Sequence, residues 1–183
     1  MTAIVAVVGK GRSYIGGDSA VSFGETHLEV QAESKVWIAG EYLMGASGWS
    51  RGCNIARYAF TPPPPKGRSA DALDRFMVTT FVNAYRDAML KGGHTLKDEQ
   101  SRESIETELL IVVRGTIYAI YEDFDMERPR GEFAAIGCGT RPALGALYAT
   151  RGMEPRKRVL LALQAAEAYD GAVRRPFVIL PEE

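Results

Sequence analysis

Hydrophobic positions fall into short, strongly apolar runs closed by glycine-bearing turns, with longer amphipathic stretches set between groups of them. Residues 3–8 (AIVAVV) are β-branched and alanine-rich, GKGR supplies turn chemistry, and SYIGGD predicts a second short strand. SKVWIAG and EYLMGASG read as two further strands joined tightly through Gly40 and Glu41. A helix is expected over about 49–60, ended by TPPPPKG, because consecutive prolines cannot continue the hydrogen-bond ladder. Ser69 suits an N-cap, with Asp71 in the first turn. Leu73, Phe76, Met77, Phe81, Ala84 and Ala88 then recur at helical spacing as far as Gly92-Gly93, which predicts a long helix with one buried face. HTLKDEQSRES is charged and aperiodic, and reads as a mobile connection. ELLIVVRG and TIYAIYED predict a hairpin, and EFAAIGCG a strand running into a glycine turn. RPALGALYATRG and PRKRVLLALQAAEAYDG predict two helices, the second opening on Pro155, and PFVIL a last strand.

The order is thus strands, two helices, strands, two helices, strand. Two antiparallel sheets between two helical layers cover every apolar face, so the expected class is α+β, a four-layer αββα sandwich, with 1–183 as a single domain.

Composition narrows the function. A formal net charge of −1 provides no electrostatic footprint for nucleic acid or an anionic membrane. No apolar run approaches the ~18 to 20 residues of a membrane span. TAIVAVV is short for a signal-peptide core and is followed, not preceded, by Lys10 and Arg12, so the chain is expected to begin at its initiator methionine or one residue after it. Cys53 and Cys138 have no CxxC spacing, which fits a reducing cytoplasm, and Cys53 reads as a core residue. The only histidines, His27 and His94, have no ligand cluster around them, which argues against a histidine-based nucleophile pair; no metal or cofactor is expected.

The chain start offers chemistry of its own. Removal of Met1 would leave a free α-amine on Thr2, with an unperturbed pKa of about 7.7 to 8.0. Such an amine can serve as general base for the hydroxyl of its own residue. A fixed cation nearby would favour the unprotonated amine by like-charge repulsion; Lys35 is the candidate, with Asp18 as the counter-ion that keeps it charged and oriented. Gly45, in LMGASG, is a candidate backbone N–H donor to a developing oxyanion.

These residues resemble the catalytic set of the proteasome-type N-terminal nucleophile hydrolases, the proteasome β-subunit and the bacterial HslV peptidase. TAIVAVV is similar to the opening strand of that family, GGDSA to its aspartate motif at Asp18, SKVW to its lysine at Lys35, and MGASG to its glycine turn. AAIGCGTRPALGALYA and VLLALQAAEAYDG follow its later strand, turn and helices, so the likeness covers nearly the whole chain, least of all 60–108. The resemblance implies a threonine-type endopeptidase with Thr2 as nucleophile, and Cys138 and Asp170 beside the amine. It implies a pocket near Val21, Leu43 and Ser47 for a modest apolar or uncharged side chain. It also implies a peptide or unfolded-protein substrate, a homo-oligomeric ring, and a separate ATP-dependent unfoldase as partner.

The sequence departs from that pattern in places. The interval from Asp18 to Lys35 is one residue longer than usual, and the hairpin from Lys35 to Gly45 is shorter. Cys138 stands where a serine is usual, and Val173 where a serine or threonine is usual. Two alternatives follow: a catalytically silent assembly or binding component that retains Met1, and an amidase for small molecules.

Overall fold

The computed structural model describes residues 2–9, 11–23, 27–67, 69–97, 99, 101 and 103–182, with the backbone alone at 22, 23, 27 and 28. Met1, on which the question of a free amine turns, lies outside the described residues, as do Lys10 and the side chain of His27.

The chain opens with β1 (Ile4–Gly9) and β2 (Arg12–Gly17), a hairpin in register Ile4 with Gly17. A ribbon of β3 (Ala20–Phe23) and β4 (His27–Val30) follows, then β5 (Val36–Ala39) and β6 (Tyr42–Gly48). α1 (Ser50–Asn54) continues without a break into a π-helical turn, Ile55–Ala59. α2 (Ala70–Phe76), a second π-turn (Met77–Phe81) and α3 (Val82–Lys91) form one long helical run. Ser69 caps it, its Oγ accepting from Ala72 N at 3.2 Å. β7 (Leu96–Lys97) pairs with β8 (Glu103–Ser104), followed by β9 (Thr107–Val113), β10 (Thr116–Ile120), β11 (Met126–Glu127) and β12 (Phe133–Ile136). α4 (Thr140–Ala149), α5 (Pro155–Tyr169) and β13 (Val178–Pro181) complete the order.

Strand order is β12-β1-β2-β13 in one sheet and β11-β10-β9-β6-β5 in the other, antiparallel throughout. Period-2 alternation sorts their side chains into three apolar layers. Ala3, Val5 and Val7 pack with Val159, Ala162, Leu163 and Ala166 of α5. Ile4, Ala6 and Ile15 face the other sheet, meeting Val36, Leu43, Leu110 and Val112. Met44, Ala46, Leu109 and Ile111 turn outward to Ile55, Phe76, Phe81 and Tyr85 of the first helical layer. The architecture is therefore the expected αββα sandwich, of class α+β. Among the described residues, no helix is long and apolar enough to cross a membrane.

Three local expectations are corrected. The segment read as a mobile connection carries the β7–β8 ribbon, held by Lys97 Nζ to Glu103 Oε1 at 3.6 Å and by Arg86 to Glu103 at 2.5 Å. Its charges act as cross-strand partners, which a search for hydrophobic period does not detect. The β3–β4 ribbon was not anticipated from the sequence. The helical runs 50–59 and 70–91 each contain a π-turn, a local widening that has no signature in hydrophobic spacing.

Leu110, fully buried between the sheets, tests the inner layer. Leu110→Ala is expected to lower unfolding free energy by about 2–5 kcal/mol, measured by denaturant titration.

Candidate functional site

Thr2 stands two residues ahead of the first residue of β1 and is 5% exposed. The β1–β2 register sets Asp18, the residue after β2, opposite Ala3. Asp18 N donates to Ala3 O at 3.2 Å, and Ala3 N donates to Asp18 Oδ1 at 3.0 Å. The other carboxylate oxygen accepts from Ala20 N at 3.0 Å and Arg174 N at 3.3 Å. Lys35 precedes β5, and its Nζ reaches Asp18 Oδ1 at 2.8 Å and Thr2 Oγ1 at 3.1 Å. The side chains of this ion pair are 10% and 0% exposed, so each charge relies on the other and on the backbone donors around Asp18. Three residues separated by up to 33 positions thus meet at one hydroxyl.

The opposite side of Thr2 is closed by the turn between β12 and α4. Gly139 N donates to Thr2 O at 3.2 Å, and Thr2 N donates to Cys138 Sγ at 3.2 Å. Cys138 is solvent-exposed as a residue, yet its sulfur lies against Thr2, also donating to Thr2 O at 3.4 Å. Partial burial of that end pushes its thiol above the ordinary range, the neighbouring Asp170 adds to the rise, and the Thr2 N–H opposes it. Asp170 terminates α5 and accepts from Ala172 N at 2.9 Å. Val173 is fully buried among the α4–α5 side chains.

A cavity of about 580 Å³ opens beside Thr2. Ala20 and Val21, Lys35 and Trp37, Ala46 to Ser50, and Cys53, Asn54, Arg57 and Tyr58 line it, with Glu106 and Glu122. Val21 and Ser47 are therefore where the sequence suggested. Leu43 is not: it shares the inward face of β6 with Ser47 but lies four residues deeper, 2% exposed between the sheets. Its place at the cavity is taken by Ala46, from the other face of the strand.

Gly45 is a second correction. It pairs with Val36 on one side and Leu110 on the other, inside both ladders. A Cβ there would stand 2.7 Å from Ile4 Cγ2 and 2.9 Å from Val36 Cγ1, so glycine is required by the close approach of the two sheets. The glycine that lines the cavity is Gly48, with φ +120°. Ala46 N donates to Lys35 O toward β5, and Trp49 N donates to Glu106 O toward β9. N–H groups alternate sides along a strand, so the Gly48 N–H points the way of Ala46. β5 starts at Val36, opposite Gly45, so its ladder does not reach Gly48, which is exposed at the cavity. The signal for this was parity: an inward row through Leu43, Gly45 and Ser47 puts Gly48 on the outward row, at the strand end.

Cys53 is only half-buried, packing against the first helical layer while also lining the cavity. Burial raises its thiol pKa to about 11, against the pull of the Lys35 ammonium. Glu108, which the sequence reading did not single out, pairs with Ser47 across β6 and β9, and its Oε2 accepts from Gly137 N at 3.0 Å. It thereby holds the turn that carries Cys138. Among the described residues, no group of three His, Cys, Asp or Glu side chains is placed to hold a metal.

No protein-family model matches the chain. The ATP-dependent protease subunit HslV of Campylobacter jejuni is 29% identical to it over 155 residues, 81% of this chain and 76% of that protein. Solved structures share its fold, among them the following two. Thiobacillus denitrificans BPH in complex with epoxomicin has a TM-score of 0.79 at 19% identity, covering 99% of this chain and 98% of that one. The eukaryotic HslV of Trypanosoma brucei has a TM-score of 0.68 at 17% identity, covering 98% of each chain.

Glu108 yields a pH prediction. Burial holds its carboxyl above the ordinary 4.5, opposed by the Gly137 N–H and reinforced by Glu122. A raised carboxyl makes the folded state bind more protons than the unfolded one, so stability falls as pH rises from 4.5 through the raised value. Glu108→Gln keeps an acceptor for Gly137 and should flatten that fall, raising the melting temperature at neutral pH more than at pH 4.5.

Proposed function

We infer that this chain, a homologue of the HslV protease subunits with the N-terminal nucleophile hydrolase fold, is a threonine-type endopeptidase whose nucleophile is Thr2. The observation that carries the reading is the Lys35 ammonium, 3.1 Å from Thr2 Oγ1 and fixed by Asp18 at 2.8 Å.

The reaction requires removal of Met1, since a peptide nitrogen is not basic and an α-amine is. The free amine takes the proton of its own hydroxyl, directly or through one water, as Oγ attacks the carbonyl carbon of the substrate amide. Lys35 serves twice: its charge favours the unprotonated amine, and its N–H stabilises negative charge developing on Oγ. The Gly48 N–H is the donor offered to the carbonyl oxygen as that oxygen becomes an anion. When the tetrahedral adduct collapses, the carbon–nitrogen bond breaks and the leaving amine takes the proton held by the Thr2 nitrogen. An ester on Oγ remains. Water then adds to the ester carbonyl, giving its proton to the Thr2 amine, and the acid product departs with Oγ reprotonated. Cys138 Sγ, accepting from Thr2 N at 3.2 Å and donating to Thr2 O at 3.4 Å, orients the nitrogen. A thiol is a weaker partner than the hydroxyl the family usually carries, but it keeps an acceptor at that position.

Substrate is a polypeptide laid between Val21 and Gly48, with one side chain in the cavity against Ala46, Ser47 and Trp37. These residues suit a modest apolar or uncharged group. The chain works as a homo-oligomeric ring in the cytoplasm, fed by a separate ATP-dependent unfoldase; the relatives named as subunits of an ATP-dependent protease support this. The silent-component reading is not favoured, because Thr2, Lys35 and Asp18 are all present and mutually bonded.

Intact mass after expression should show loss of one methionine, and incubation with a peptide epoxyketone should add one inhibitor at Thr2. Thr2→Ala should abolish both the adduct and peptide cleavage. Lys35→Met should slow cleavage by about 10²–10⁴-fold, the scale of a lost acid–base contribution. Retained Met1 with no adduct would refute the reading.

A further inference from the structure

The mechanism depends on Lys35 but leaves open what holds the segment bearing it. Lys35 lies in the bend between the β3–β4 ribbon and β5, just ahead of Val36, where the ladder begins. Its own carbonyl accepts from Ala46 N at 3.2 Å. The preceding carbonyl, Ser34 O, lies before the first residue of β5 and receives the Arg57 guanidinium instead. Ser34 also closes the bend on itself: its Oγ accepts from Val36 N at 3.1 Å and donates to Val36 O at 2.8 Å.

Arg57 is itself fixed on every side. Its guanidinium carbon lies 5.8 Å from the Trp37 ring centroid and 5.4 Å from that of Tyr58. Its Nη2 approaches Glu33 Oε2 at 3.5 Å, and the Tyr58 hydroxyl donates to the same oxygen at 2.6 Å. Arg57 and Tyr58 are neighbours in sequence on the π-turn and converge on the Glu33 carboxylate, Arg57 alone also bonding the Ser34 carbonyl. The Arg57–Glu33 ion pair is exposed enough to be weak, so the guanidinium's value here is geometric: a planar fork that bonds a carbonyl while lying near two rings.

We propose that Arg57 is a positioning residue for Lys35, clamping the Ser34 carbonyl so that the ammonium is delivered to Thr2 and Asp18. The proposal rests on Thr2 being the nucleophile. It assigns the π-turn a purpose: the element that walls the cavity also sets the cation of the catalytic centre. A side chain that merely lined the pocket would act on substrate affinity. A clamp on Lys35 acts on the amine, because a displaced ammonium repels it less and lets its pKa rise.

The test measures the rate of epoxyketone adduct formation at Thr2 and of peptide cleavage across pH for the parent protein, Arg57→Met and Arg57→Lys. The parent adduct reports on the Thr2 reading by itself; the variants report on Arg57. Expected for Arg57→Met is a fall in kcat of about tenfold or more, consistent with small misplacement of a working group. KM should be nearly unchanged, and the acid limb of the rate should move to higher pH. Arg57→Lys, which can still donate to Ser34 O, should recover part of both. A change confined to KM, or an acid limb that stays in place in a folded variant, overturns the proposal. Should Arg57→Met fail to fold, Glu33→Gln with Tyr58→Phe loosens the clamp while leaving Arg57 in place. The same shift of the acid limb is then expected, and its absence refutes the clamp.

Discussion

A buried ammonium and a buried carboxylate, 2.8 Å apart at the end of a β-hairpin, set the terms for everything around them. Removing either partner would leave the other charge stranded, a penalty of about 3–5 kcal/mol. The fold meets the cost with backbone. Asp18 accepts from Ala3, Ala20 and Arg174 in addition to Lys35, which uses three segments of chain to satisfy one carboxylate. The same arrangement leaves the Lys35 ammonium close enough to bond a hydroxyl as well, which turns a structural expense into chemistry.

The sandwich puts this pair where it is through its alternation. β1 carries one row of side chains to α5 and one row to the opposing sheet, and Thr2 is the residue at which the strand leaves both layers. Two sheets lie close because glycine occupies the gap at Gly45, and β6 of the second sheet ends at Gly48, which lines the same cavity as Thr2. The first helical layer then closes the cavity with residues from α1 and its π-turn. Site and core are built from the two faces of the same strands.

Much of this was legible in the sequence. Short apolar runs closed by glycine turns, the Pro-rich stop and the Ser69 cap marked the layers, and the order of Thr2, Asp18 and Lys35 placed the three side chains that the structure brings together. What could not be read was long-range. Gly45 and Gly48 differ in strand parity, and which face of β6 meets the cavity depends on where β1 and α1 settle, so Leu43 and Gly45 were assigned to the wrong side. Cys53 satisfies the periodicity of a core helix and still borders a cavity, because the sequence does not reveal where a layer ends. The β7–β8 ribbon is held by charge pairs, and a hydrophobic pattern carries no trace of it. The π-turns arise from the packing of the whole helix and leave no mark on local spacing.

The tight gap at Gly45 also fixes the register of β6. Slipping β6 by one residue against its neighbours would drive the Met44 side chain between the sheets and carry Leu43 out to the helices, an arrangement the 2.7 Å clearance forbids. The residue that lets the two sheets approach is thus also the one that excludes the neighbouring pairing, and the strand that walls the cavity is held to a single alignment by a missing side chain.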